Sequence, residues 1–436
     1  MLLSTVITYF CGILMEKQAL SQRKLWLVFS LVLNLAILFF FKYFNFVFNL
    51  LERLITTVNI PFTAPTINVL LPVGISFYIF QALGYTIDVY RGHVEAERNF
   101  CTYALFVSFF PQLVAGPIER SDHILPQLKT VHVFRWENIQ TGLLLLLWGL
   151  FKKMVIADQL AVLVNTAYAA PDAFSGVQLA VATGAFAIQI YCDFSAYSDI
   201  AIGSAAMMGF QLIKNFNCPY FATSIKDFWR RWHISLSSWF KDYLYFPLGG
   251  SRCSRWRHWL NIMIVFTVSG LWHGAALTFV IWGALNGLYQ VVSDCLRPLW
   301  KRMLTALHLS NSNPLLRLVR IVFTFCLVCL TWVFFRANSV SDALLILKSI
   351  FTCSGGTLSL SITALGLSRS DLILLLCSLV ILTVVDALSM LQDLAVRLNR
   401  TIVLRYAVYF LLIVVILIYG SYGPGYDPQE FVYFQF

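Results

Sequence analysis

Long runs of apolar residues, separated by short polar loops, follow one another along the whole chain. Runs near membrane-spanning length lie at 2–15, 25–50, 67–90, 100–118, 139–166, 176–210, 258–272, 275–296, 316–335, 371–391 and 403–421. Apolar residues are continuous within the runs, which indicates helices and not the alternating strands of a membrane barrel. A helical span needs about 20 such residues, so most runs are long enough to cross a bilayer. The run at 176–210 fits one tilted helix or two short ones.

The region at 213–257 departs from this pattern because it mixes charged and aromatic residues. Its segment FWRRWHISLSSWFKDYL has apolar residues near positions i, i+3, i+4 and i+7, which predicts an amphipathic helix. Trp and Tyr favour the headgroup level of a bilayer, so we expect an interfacial or re-entrant helix and not a full span. A surface helix without any chemistry is the alternative.

Composition indicates that lipid is the main solvent of the chain. Of its 436 residues, 59% are hydrophobic and 12% are charged, whereas an ordinary soluble domain has about 25% charged residues. Backbone polar groups in lipid need partners within the protein, and continuous apolar runs satisfy this requirement as helices. We therefore predict an all-α integral membrane protein that forms a single polytopic domain over residues 1–436.

The formal net charge of +10 is concentrated in two loops. One lies within 213–257 and the other at 297–320, whereas residues 406–436 contain no Lys or Arg. Basic loops stay on the cytoplasmic side of a membrane, so these two loops are expected there and the C-terminal tail on the opposite side. The positive charge is thereby explained without a nucleic-acid partner, and none is predicted.

His273 is the one histidine deep inside an apolar run, in the segment TVSGLWHGAALTFVIWGAL. A buried neutral imidazole can act as a general base toward a hydroxyl group. A packing histidine that forms a hydrogen bond across a helix interface is the alternative. Gly270 and Gly274 flank it at four-residue spacing, which permits close helix approach and fits both interpretations. His233 follows RRW in the amphipathic segment. The remaining histidines lie in polar loops or at segment ends and are His93, His123, His132, His258 and His308.

Other polar groups in the apolar runs carry weaker signals. Asp193 and Asp199 could bind cations or protons, as in a transporter, but pairing with loop arginines in a structural role is favoured. The Cys326–Cys329 pair has a lipid-like setting and no second ligand pair, so packing is predicted and no metal site. The chain has no GxSxG motif, which argues against a hydrolase of the nucleophile-elbow type.

Two runs together closely resemble the membrane-bound O-acyltransferase (MBOAT) family, in its alginate O-acetyltransferase-like branch. They are NFNCPYFATSIKDFWRRWHISLSSWFKDYLYFPLGGSR (215–252) and SGLWHGAALTFVIWGALNG (269–287). Further similar segments cover nearly the whole chain. They are FFKYFNF (40–46), LLPVGISFYIFQALGYTIDVYRG (70–92), FPQLVAGPIER (110–120), TWVFFRANSVSDALLILKSIF (331–351) and FVYFQF (431–436).

The resemblance implies a multi-helix bundle with re-entrant and interfacial helices around a thinned core. It implies that His273 is the catalytic histidine and that His233 is its polar partner. It further implies a multi-pass location in the bacterial cytoplasmic (inner) membrane and cytoplasmic acetyl-CoA as the donor substrate, with no bound cofactor. Residues expected to bind substrate are Asn217 and the basic residues Lys241, Arg252, Arg255 and Arg257, whose charge would attract the donor phosphates.

On the outer side, the resemblance implies an extracytoplasmic SGNH-type acyltransferase partner and a glycan acceptor, either a polysaccharide or peptidoglycan. Tyr433 in the terminal FVYFQF is a candidate transient acyl carrier, with an aromatic anchor at the membrane surface as the equal alternative. Transfer of D-alanine to teichoic acid is the alternative reaction. A polytopic transporter is the alternative from a different class, although no inverted repeat is visible. A structural membrane scaffold would leave the WRRWH and LWHG motifs unexplained.

Family members usually have further hydrophobic residues before the segment that matches LLSTVITYFCGILMEK (2–17). This chain starts at that segment. Either the start is displaced or one or two peripheral helices are missing, so the number of spans stays open. The catalytic region is not affected by this difference.

Overall fold

The structure is a computed structural model and describes residues 1–306, 308, 310, 313–353, 362–391, 398, 401–423 and 431–432. Every regular element within these ranges is helical, which confirms the predicted all-α membrane class. Six of the described helical stretches are long and apolar enough to cross a membrane. They are Ser21–Thr57, Trp136–Ala169, Gly176–Met207, Pro314–Arg336, Arg369–Met390 and Ile402–Tyr419.

The chain divides into two compact units, and the first comprises Met1–Arg135 and Met208–Ile213. Its helices are α1 (Leu2–Glu16), α2 (Leu20–Leu38), α3 (Phe44–Thr57), α4 (Ile75–Arg91), α5 (Phe100–Ser108) and α6 (Ser121–Leu128). Helix α1 packs against α2 and α4. The buried Tyr103 hydroxyl donates to Thr8 Oγ1 at 2.7 Å, so this polar group is satisfied inside the apolar unit, as burial requires.

The second unit comprises Trp136–Met207 and Lys214–Phe436. Its α-helices are α7 (Trp136–Leu150), α8 (Asp158–Ala169), α9 (Gly176–Met207), α10 (Ile225–Arg231), α11 (Ile234–Phe240), α12 (Arg255–His273), α13 (Leu277–Ala306), α14 (Pro314–Arg336), α15 (Val340–Thr352), α16 (Arg369–Leu391) and α17 (Ile402–Tyr419). Short π-helical turns occur at Phe151–Ala157 and Lys241–Tyr245 in this unit.

Helix α9 is continuous over 32 residues, so the apolar run at 176–210 forms one long helix and not two short ones. It packs along α7, and paired glycines set how closely the two backbones approach. A Cβ atom on Gly142 would lie 2.5 Å from the carbonyl oxygen of Gly203, and a Cβ on Gly203 would lie 2.6 Å from that of Gly142. Such small-residue contacts are the usual route to tight helix packing in lipid.

Two consecutive lysines of the π-helical turn at Phe151–Ala157 form ion pairs inside the second unit. Lys153 Nζ lies 2.8 Å from Asp193 and 2.9 Å from Asp158, and Lys152 Nζ lies 2.7 Å from Asp199. The structural role favoured for Asp193 and Asp199 agrees with these pairs. Their partners, however, are membrane-depth lysines and not loop arginines as expected, because the π-helical turn brings both lysines against α9.

The amphipathic segment forms two short helices, α10 and α11, which are interrupted at Trp232–His233. Each has 7 residues, or about 10 Å of helix, which is too short to cross a bilayer. Phe228 and Trp232 are each 1% exposed. These aromatic residues therefore lie in the protein interior, because α10 packs against α13 and α14.

Candidate active site

His273 is the last residue of α12, and glycines hold the end of this helix close to α13. A Cβ atom on Gly270 would lie 2.2 Å from the carbonyl oxygen of Phe279, and one on Gly283 would lie 2.3 Å from that of Phe266. A Cβ on Gly274 would lie 2.1 Å from the Phe279 ring. The close approach predicted from Gly270 and Gly274 is therefore present, and it fixes where the helix ends.

Aromatic rings surround the His273 imidazole. The ring centroids of Trp282, Trp272 and Phe335 lie 4.9, 5.0 and 5.5 Å from that of His273. His273 is only 5% exposed. We call these three aromatic residues the aromatic enclosure. It replaces most of the water around the imidazole, and electrostatic interactions with a reacting group are stronger in such a water-poor site.

His233 completes the same cluster from the break between α10 and α11. Its ring centroid lies 6.3 Å from that of His273 and 4.6 Å from that of Phe194 on α9. Burial lowers the pKa of His233 to about 3, so its imidazole is neutral at physiological pH. The structure thus brings together the two histidines that the resemblance singled out, across 40 residues of sequence (273 − 233 = 40).

The backbone of His233 has φ 44° and ψ 56°, in the left-handed region. This conformation costs a residue with a Cβ atom about 1–2 kcal/mol. A surrounding structure that holds a non-glycine residue there is often part of a functional site. The retention of a bulky imidazole at this position supports a role for its side chain.

Asn215 supports His233 and was not singled out by the sequence. Its Oδ1 atom lies 3.1 Å from His233 Nδ1, and its Nδ2 donates to Ser198 Oγ on α9 at 3.3 Å. The sequence offered one indication of Asn215, an amide side chain inside the matching run 215–252. In that run the sequence analysis selected Asn217 as the substrate-binding amide residue instead. The aromatic enclosure was missed as well, since Trp282 and Phe335 lie on other helices.

The other predicted substrate-binding residues differ from the two buried histidines in their exposure. Asn217, Lys241, Arg252, Arg255 and Arg257 are all exposed. Arg255 begins α12 and His273 ends it, so 18 residue steps (273 − 255 = 18) place these two residues about 27 Å apart along the helix. Tyr433, the candidate carrier, lies outside the described residues.

Two described residues of the C-terminal segment contact α9 and the π-helical turn beside it. The backbone N–H of Val432 donates to Asp193 Oδ2 at 2.7 Å. The Phe431 ring lies 4.4 Å from Lys153 Nζ and 5.4 Å from the Tyr197 ring. Asp193 directly precedes Phe194, which contacts His233. One helix therefore contacts both the C-terminal segment and the histidine cluster.

Comparison with known proteins identifies the family. The family model described as "MBOAT, membrane-bound O-acyltransferase family" matches residues 93–336, which include both histidines. A protein of Azotobacter vinelandii named "Probable alginate O-acetylase AlgI" is 38% identical over 359 residues, which cover 81% of this chain and 69% of that protein.

Two further relatives differ in their named acceptor. The Peptidoglycan O-acetyltransferase of Helicobacter pylori is 35% identical, with 81% of this chain and 70% of that protein covered. The Teichoic acid D-alanyltransferase of Bacillus subtilis is 26% identical, with 63% of this chain and 71% of that protein covered. The transporter alternative has no comparable support. The chain is a multi-pass membrane protein, belongs to the membrane-bound O-acyltransferase family and is an O-acyltransferase.

Proposed function

We propose that the chain transfers acetyl groups from cytoplasmic acetyl-CoA toward a hydroxyl group of an extracytoplasmic polysaccharide or peptidoglycan. The observation that carries this proposal is the buried pair of His273 and His233 beside the aromatic enclosure. The relatives named as acetyltransferases of alginate and peptidoglycan support the acetyl group and the glycan. Their bacterial sources, together with the apolar helices of this chain, support a location in the cytoplasmic membrane.

In the proposed reaction, His273 acts as the general base. The oxygen of the attacking hydroxyl, for which Tyr433 is the candidate carrier ahead of the glycan, attacks the thioester carbonyl carbon while its proton passes to the His273 imidazole. The new C–O bond forms as the C–S bond breaks, and the imidazolium returns the proton to the departing thiolate. Acetyl ester and free thiol are the products, so neither an oxidant nor an additional proton source is required.

The acetyl-CoA donor is elongated, with a phosphate-rich nucleotide at one end and the thioester at the other. The length of α12 separates the exposed Arg255 from His273 by about 27 Å, which suits such a donor better than a compact one. We expect combined Arg255→Gln and Arg257→Gln substitutions to raise the KM for acetyl-CoA, more at low than at high salt, with little change in kcat. An unchanged KM at low salt would refute the proposed phosphate contact.

Tyr433 is proposed as a transient acyl carrier between the histidines and an extracytoplasmic SGNH-type partner. Its hydroxyl would attack the thioester, release the thiol and later pass the acetyl group to a nucleophile of the partner. Support comes from Val432, which directly precedes Tyr433 and donates a hydrogen bond to Asp193 on the helix that contacts His233.

The substitution Tyr433→Phe tests the carrier role because it removes only the hydroxyl. We expect glycan acetylation to be lost while protein level and donor affinity are retained. Retained acetylation would leave Tyr433 as an aromatic anchor. Phe434→Tyr, which adds a hydroxyl at the adjacent position, is a matched control: combined with Tyr433→Phe, it should not restore acetylation.

D-alanyl transfer remains the alternative reaction, and the 26% identity to a teichoic acid D-alanyltransferase is the observation that favours it. The two reactions differ in their donors. Membranes that contain the chain would be given either labelled acetyl-CoA or a labelled D-alanyl thioester of a carrier protein. Transfer from acetyl-CoA alone is expected; transfer from the carrier thioester alone would overturn the proposed donor.

A further inference from the structure

We propose that Asn215 is a positioning residue for the reaction, because its side-chain amide fixes His233 in the tautomer that carries its proton on Nδ1. This inference rests on the proposed function for its catalytic consequence. The tautomer itself follows from hydrogen bonds among described residues and can be measured without any substrate.

The orientation of the Asn215 amide is set by Ser235. The Oδ1 atom of Asn215 lies 3.2 Å from the backbone N of Ser235 and 2.9 Å from its Oγ. A backbone N–H is only a donor, so the amide atom that faces it must be the carbonyl oxygen. The amide nitrogen then faces Ser198 Oγ, at 3.3 Å, and can donate to it. A flipped amide would place two donors against each other.

The amide orientation determines the histidine tautomer. Since Asn215 Oδ1 is an acceptor, His233 Nδ1 at 3.1 Å must donate a proton to it. A neutral imidazole has a single N–H, so the proton is on Nδ1 and a lone pair is on Nε2. His233 therefore presents a hydrogen-bond acceptor nitrogen and not an N–H on the side of the ring away from Asn215.

This tautomer suits a neighbour that becomes positively charged. When His273 takes the acceptor proton it becomes an imidazolium, and its ring lies 6.3 Å from that of His233. The proposal requires that Nε2 of His233 faces His273: a lone pair there would stabilise that charge, whereas an N–H would oppose it. Fixed dipoles of this kind act strongly where water is excluded.

The same segment also holds the backbone of His233. The carbonyl oxygen of Asn215 accepts a hydrogen bond from the N–H of Ile234, and the N–H of Asn217 donates to the carbonyl oxygen of Arg231, both at 2.9 Å. These two bonds enclose the break between α10 and α11. They offset the cost of the left-handed conformation of His233, so one loop sets both the direction and the protonation of the imidazole.

The first test measures the tautomer. Protein with 15N-labelled histidine would be examined by NMR, and His233→Gln would identify the signals of His233. We expect a protonated Nδ1 and an unprotonated Nε2 in the parent protein, and loss of that preference in Asn215→Ala. A protonated Nε2 in the parent protein would overturn the proposal, whatever the substrate of the enzyme.

The second test measures catalysis in purified, folded variants. In metal sites, loss of a group that orients a histidine costs about 10- to 100-fold in affinity or activity, and by analogy we expect Asn215→Ala to lower kcat by about that factor with KM for acetyl-CoA nearly unchanged. Asn215→Asp keeps the acceptor oxygen and should restore much of kcat. A carboxylate at position 215 favours the imidazolium form of His233. The acidic limb of the pH–rate profile of the Asn215→Asp enzyme should therefore move to higher pH.

Ser204→Ala is the matched control, since it removes a serine hydroxyl from the same helix α9 that donates to the carbonyl oxygen of Ile200 and not to Asn215. Its kcat should stay near that of the parent protein. Equal losses of kcat in the Ala and Asp variants of Asn215, with one unchanged pH profile, would contradict the proposal and leave Asn215 with a purely structural role. Absence of acetyl transfer in the parent protein would instead refute the proposed function and leave the NMR result intact.

Discussion

Substitution of Gly270 by alanine should displace His273 without touching its side chain. The added Cβ atom would lie 2.2 Å from the carbonyl oxygen of Phe279 on α13. Ordinary contacts begin at 3.4 Å, so the two helices must separate locally by about 1.2 Å (3.4 − 2.2 = 1.2). The clash is with backbone, which cannot rotate away as a flexible side chain can.

The size of the effect follows from this displacement. Overpacking of this kind costs about 1–3 kcal/mol of stability. His273 lies three residues after Gly270 on the same helix, so the shift reaches the imidazole almost undiminished. A misplacement of about 1 Å can lower a rate about 100-fold. We therefore expect kcat to fall by roughly one to two orders of magnitude in protein that still folds.

The assay is acetyl transfer by detergent-purified protein, with the melting temperature measured in parallel. Gly184→Ala is the matched control, because a Cβ atom at Gly184 meets no atom within 4 Å. It should retain both activity and melting temperature. Wild-type kcat and melting temperature in Gly270→Ala would refute the idea that this glycine contact fixes the position of His273.

Further substitutions test buried or partly buried ion pairs, first in the second unit and then in the first. Lys153→Met should lower the melting temperature more than Asp193→Asn does, because it leaves the buried carboxylates of both Asp158 and Asp193 without their lysine, and an uncompensated buried charge costs about 3–5 kcal/mol; an equal or smaller loss in Lys153→Met would contradict the pairing. In the first unit, the hydrogen bond that His123 donates to the Glu119 carboxylate raises the pKa of His123 above its usual value. This pair therefore stabilises the fold fully below the pKa that histidine has in the unfolded protein, and the stabilisation is lost as pH rises through the pKa of His123 in the folded protein. His123→Gln should accordingly lower the melting temperature at pH 5.5 but not at pH 8.5. An equal loss at both pH values would refute the linkage.

The fold class followed from the sequence because apolar runs in lipid have few structural solutions. The tight approach at Gly270 also followed, since small residues at four-residue spacing permit backbone contact. The amphipathic segment was predicted as one helix, but it breaks at His233. Periodicity cannot reveal such a break, because the apolar pattern continues through it while a single residue adopts the left-handed conformation.

The long-range polar contacts were beyond sequence reasoning for a different reason. Lys153 and Asp193 are 40 residues apart, so only the packing of α9 on the π-helical turn makes them partners. Asn215 and His233 are likewise 18 residues apart and meet through the break between two short helices. Residue types indicated which polar groups have an unfavourable free energy of burial. The three-dimensional structure determined which groups form ion pairs or hydrogen bonds with them.

The central claim is that the imidazole of His273 accepts the proton of the attacking hydroxyl. The most direct measurement is transfer of labelled acetyl from acetyl-CoA by the parent protein and by folded His273→Ala, at saturating donor and matched protein level. General-base catalysis contributes about 10²- to 10⁴-fold, so transfer by the variant should fall by at least about 100-fold while acetyl-CoA still binds. Transfer at the parental rate in a folded His273→Ala protein would contradict the claim.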